Sequence, residues 1–85
     1  MKEIWKYKLE PRTELEMPEG ARILSVQNQH EQPCLWALVE VSMPKVKRMF
    51  TIYGTGHSLP ANPGNYLGTF QLQMGAFVFH VFEVV

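Results

Sequence analysis

Strict alternation in Ile4-Trp5-Lys6-Tyr7-Lys8-Leu9 constrains this chain more than any other feature. Trp5, Tyr7 and Leu9 fall on one face and Lys6 and Lys8 on the other, which is the period of a half-buried strand. Pro11-Arg12 ends that run. Thr13 to Met17 alternates again, with Leu15 and Met17 inward, and Pro18-Glu19-Gly20 supplies a turn. Ala21 to Gln29 is a third strand, whose polar tail Gln27-Asn28-Gln29 runs out into solvent or into a site. His30 to Pro33 reads as a hairpin connection. Cys34 to Val41 is a near-continuous apolar run. Leu and Ala there would also suit a helix, but Pro33, Pro44, the valines and the short length favour a buried strand. Lys45 to Tyr53, Tyr66 to Leu72 and Phe77 to Val84 complete the set. Gly68 is expected at a bulge or a point of close approach, and Gln73-Met74-Gly75-Ala76 at a hairpin turn. Six to seven short strands separated by turn signals predict one all-β domain over residues 1–85, an antiparallel sandwich or small barrel.

Eighty-five residues hold a single core. A chain of this size buries only about 60–65% of its unfolded surface. Cys34 is the only cysteine, so no disulfide closes within the chain, and a reducing compartment is implied. The first residues lack the apolar core of a signal peptide, and no apolar run is long enough for a bilayer. The expectation is a soluble, cytoplasmic protein with no membrane partner. Eight basic and eight acidic residues cancel, which argues against a general nucleic-acid binder. The charges are unevenly spread, however. Aspartate is absent, and beyond Arg48 the only charged residue is Glu83. Either the C-terminal strands are central and covered on both faces by the N-terminal ones, or part of their surface is buried in a homo-oligomer.

Between the strands ending at Tyr53 and beginning at Tyr66 lies a long connection that opens with Gly54-Thr55-Gly56-His57 and closes with a Pro63-Gly64 turn. Glycines permit positive φ and close approach of a ligand to the backbone. Successive free N–H groups there would form an anion-binding nest, with the Thr55 hydroxyl and His57 imidazole as further donors. The motif is neither a Walker A loop nor a dinucleotide-binding fingerprint, since no Lys-Ser/Thr pair and no helix follow it. The competing reading is a wide turn in which Gly54 and Gly56 set the backbone and His57 packs or caps. With Tyr53 and Tyr66 flanking the loop and Arg48 supplying counter-charge, the candidate ligand-binding set is Tyr53, Gly54, Thr55, Gly56, His57, Tyr66 and Arg48.

Other chemistry is weaker. His30, His57 and His80 have no metal-ligand spacing, and His80 shares the phase of Val78 and Phe82, as a satisfied core histidine would. Cys34 opens an apolar strand, where an inert thiol is the ordinary outcome. No carboxylate pair suits acid–base work. No catalytic residue, metal or cofactor is therefore expected, and the chain does not read as an enzyme. Lys45 and Lys47 share one strand face and Arg48 takes the other, an arrangement that commonly guards a sheet edge. Trp5 and Trp36 sit in apolar runs and read as core.

The blocks Met17-Pro18-Glu19-Gly20-Ala21, Ile23-Leu24-Ser25-Val26-Gln27, Leu35-Trp36-Ala37-Leu38-Val39, Tyr53-Gly54-Thr55-Gly56-His57, Gly68-Thr69-Phe70-Gln71 and Phe79-His80-Val81-Phe82 together resemble a family of small uncharacterised phage and prophage proteins. Val41 to Met43 and Met49 to Thr51 are less polar than in that family. The resemblance implies a phage-related origin and supplies no catalytic residues. Two functions of different class follow as expectations. One is a non-enzymatic binding protein that sequesters a small anionic, nucleotide-derived signal used by a bacterial host against phage. The other is an effector that blocks a host protein through an exposed β-surface.

Overall fold

The computed structural model describes all 85 residues. Seven strands follow one another: β1 (Lys2–Lys8), β2 (Arg12–Pro18), β3 (Arg22–Gln29), β4 (Gln32–Glu40), β5 (Lys45–Gly54), β6 (Asn65–Leu72) and β7 (Phe77–Glu83). They form two antiparallel sheets, one three-stranded in the order β1-β4-β3 and one four-stranded in the order β2-β5-β7-β6. The chain is a small all-β sandwich. No helix is long and apolar enough to cross a membrane.

The alternation at the N-terminus does what its period requires. Trp5 and Tyr7 pair with Ala37 and Leu35 and pack on the core of Leu9, Met17, Val26, Leu35, Val39, Phe50, Phe70 and Val81. At Leu9 the chain changes sheets within three residues. The Leu9 N–H still donates to Pro33 O, while Pro11 O already accepts from the Ile52 N–H of the second sheet. Pro33 lies inside β4 rather than in the hairpin, which is reduced to His30 and Glu31, both with positive φ. A proline is tolerated there because the Gln32 side chain supplies the missing donor: its Nε2 bonds Leu9 O at 3.1 Å. The cost of two non-glycine residues in the left-handed region is offset by Glu31, whose carboxylate accepts from Asn28 Nδ2 at 3.0 Å and from Gln73 N at 2.8 Å. That second bond ties the β3–β4 hairpin to the β6–β7 hairpin.

Gly68 is both things the sequence suggested. The β6–β7 register shifts between Tyr66 and Gly68, and a Cβ at Gly68 would lie 2.3 Å from Val26 Cγ2 of the facing sheet. The missing side chain is what lets β6 lie against β3. Cys34 is buried and unpaired, so a thiol reagent is expected to label it only as fast as the domain opens. Labelling at the rate of a free thiol in native buffer would contradict its position.

Two expectations need correction. β5 and β7 are central in their sheet, but the first sheet covers only one of their faces, because three strands cannot wrap four. Trp36 is not core either. It pairs with Lys6 and Ser25 on the outer face of the three-stranded sheet, half-buried, since the core side of β4 is filled by Leu35, Ala37 and Val39.

Candidate functional site

β5 and β6 run parallel with β7 between them. The connection 55–64 therefore leaves the sheet at the Gly54–Phe79 end and returns at the Asn65–Glu83 end. Strand register then decides which predicted residues meet. Tyr53 stands opposite His80, and Tyr66 opposite Phe82. The Phe82 ring lies edge-on between the two tyrosines, with centroids at 5.8 Å from Tyr53 and 5.6 Å from Tyr66. This is the outer face of the four-stranded sheet.

A polar row crosses the same face. Thr55 Oγ1 is 2.7 Å from His80 Nε2, and Thr69 Oγ1 is 2.9 Å from His80 Nδ1. Tyr66 OH bonds Thr69 Oγ1 in turn. Neutral imidazole has one donor and one acceptor nitrogen, so one threonine donates to His80 and the other accepts from it. Both ring nitrogens are satisfied, as the sequence suggested for this histidine, but on an outer face and not in the core. Thr51, beside Phe82 in the neighbouring strand, keeps a buried hydroxyl without a hydrogen-bond partner.

The glycine loop is built as a turn. His57 N donates to Gly54 O and Thr55 N donates to Val78 O, both at 3.1 Å. Two of the N–H groups a nest would need are thus spent internally. Gly56 takes φ +86°, which a residue with a Cβ adopts only under strain. Gly54 is buried, and the His57 ring occupies the space its side chain would take, with ring atoms 2.8 Å from the ideal Cβ position. His57 thereby leans to the opposite side of the strand from Tyr53, and with Gly54 and Thr55 it lines an open groove of about 430 Å³ completed by Ala76, Phe77, Val78 and Phe79.

Arg48 is not part of either arrangement. It projects inward from the other end of β5. Its Nε and one Nη hold the Glu83 carboxylate at 2.6 and 2.8 Å, and its other Nη donates to Ala21 O at 2.6 Å. Glu83 pushes its pKa up, burial opposing. A guanidinium so committed has no charge left over for a ligand near Thr55.

The structure therefore brings Tyr53 and Tyr66 to one face, turns Gly54 and His57 to the other, and leaves Arg48 apart; Thr55 joins the two, bonded to His80 on the first and lining the His57 groove. His80, Thr69 and Phe82 join the first group. Their alternation with the inward Phe79, Val81 and Phe70 was readable in the sequence; the threonine–histidine pairing was not. No three His, Cys or Glu side chains stand close enough to share a metal.

A family model described as a domain of unknown function, DUF7352, matches residues 1–85. No curated protein and no solved structure matches the chain. With the whole chain matched, the protein belongs to the DUF7352 family.

Proposed function

We propose that this protein is a non-enzymatic binding protein of phage origin, acting in the host cytoplasm by sequestering a small, anionic, nucleotide-derived ligand. The observation that carries this reading is the outer face of the four-stranded sheet, where Tyr53, Phe82 and Tyr66 form an aromatic floor beside the Thr55–His80–Thr69 row. Aromatic rings stack on a base whatever its identity, and the hydroxyl and imidazole groups of the row, bonded to one another in the free protein, would exchange those bonds for ribose and phosphate oxygens. The family resemblance of the sequence blocks supports the phage origin. Tyr66 is 58% exposed, so the floor is open in one chain. Closure by a second copy would bury the ligand, in keeping with the charge-poor C-terminal half.

Thermal shift against nucleotides, cyclic dinucleotides and ADP-ribose derivatives tests this. A ligand present at 100 times its dissociation constant adds about 2.7 kcal/mol. Tyr66→Ala is expected to lose that shift. His57→Ala, with its ring turned to the other side of the strand, keeps it. Sedimentation should show a dimer or larger at micromolar concentration. No shift with any compound would favour the second reading, an effector that covers a host protein. The openness of the same aromatic face is the observation that favours it.

A further inference from the structure

The zero net charge of the chain does not hold for each of its surfaces. On the outer face of the three-stranded sheet, β1 presents Lys2, Lys6 and Lys8, because its other phase is committed to the core, and β3 adds Arg22 opposite Leu38. Half of the eight basic residues thus project from one face. The only acid in that phase is Glu40, which is paired with the Met1 ammonium at 2.6 Å. Among these cations lies an apolar centre. Trp36 on β4 stands with Ile4, 61% exposed, and Leu24, 44% exposed, around an open groove of about 320 Å³ that Ser25 and Gln27 complete.

We infer that this face is a platform for single-stranded nucleic acid, with Trp36 stacking on a base and Lys2, Lys6, Lys8 and Arg22 tracking the phosphates. Two features select that occupant. A second copy docked on the same face by a two-fold axis would bring eight cations into one interface with Glu40, already paired, as the only acid from each side, so the face disfavours self-association. The cations also flank the aromatic centre along the strand instead of clustering at one point. Side chains two residues apart on one face are about 6.6–6.8 Å apart, which suits successive phosphates of an extended strand better than a single anion. Cationic grooves with interleaved aromatic side chains bind single strands through these two terms. The surface is opposite the Tyr53–Tyr66 face, and the inference stands whether or not that face binds a nucleotide.

Fluorescence anisotropy of the intact protein with a labelled 20-nucleotide oligothymidine and an oligouridine of equal length tests it. Binding is expected at low salt, with log K falling against log[salt] by a slope of about −2 to −3 for three to four phosphate contacts. Lys6→Glu/Lys8→Glu, both fully on the solvent side, should abolish it. Trp36→Ala should weaken it about 5- to 150-fold, Trp36→Phe should restore most of the loss, and Leu59→Ala, in the exposed 55–64 connection of the other sheet, should change nothing. No binding at 50 mM salt would overturn the inference. So would equal binding of polyglutamate, which would make the partner an acidic protein, or full binding by folded Trp36→Ala, which would leave only unspecific attraction. Circular dichroism of each variant establishes that it is folded.

Discussion

Gly68→Ala is expected to lower the melting temperature by about 5–20 °C. The added methyl would start 2.3 Å from Val26 Cγ2, well inside van der Waals contact. Val26 is buried and β-branched, so it has no easy alternative rotamer. Overpacking of this kind costs about 1–3 kcal/mol, and each kcal/mol moves a domain of this size by about 4–8 °C. Val26→Ala alone should also destabilise, by about 1–3 kcal/mol, through lost burial and a cavity. The two together should cost clearly less than their sum, because the space vacated by one receives the other; couplings between touching residues reach about 0.5–3 kcal/mol. Simple additivity in a double-mutant cycle would mean that the β3–β6 approach is not limited at this contact.

Arg48→Met should be the most damaging single charge change. It strips the Glu83 carboxylate of both its bonds and Ala21 O of its donor. Orphaning one partner of a fully buried pair costs about 3–5 kcal/mol. Here the side chains retain 20% and 16% exposure, and water reaching the carboxylate should reduce the loss to about 2–4 kcal/mol. Replacing both, as Arg48→Met with Glu83→Leu, should recover most of it, since apolar substitution of a whole pair is often near neutral. Urea denaturation measures all three variants. A loss under about 0.5 kcal/mol for Arg48→Met would make this an ordinary surface pair. Glu16→Gln, on the solvent side of β2, is the control expected to change little.

Strand existence was legible from the residues, and phase wherever they alternate. The Trp5-Tyr7-Leu9 alternation, the Pro18-Gly20 corner and the bulge at Gly68 appear where their side-chain period and turn chemistry put them, whereas the near-continuous run from Leu35 to Val39 announced a strand without its phase, and Trp36 faces outward. These are local properties: a period of two and a glycine's freedom act within a few residues. The candidate site was legible only in part. Tyr53, Thr55 and Tyr66 were singled out because they flank the glycine loop, but the reason they meet is that β7 lies between β5 and β6 and carries His80 and Phe82 to them. Arg48 shows the limit from the other side. Its phase was correct, pointing away from Lys45 and Lys47, yet nothing near it in sequence announces Glu83, thirty-five residues on. The nest failed for a similar reason, since Val78, from the next hairpin, takes the Thr55 N–H. What the sequence determined alone was which residues alternate and where the chain turns. What only the tertiary structure decided was which faces stay open and where charge collects, because strand order and sheet packing are set by long-range pairings. A net charge of zero says nothing about whether four cations share a face.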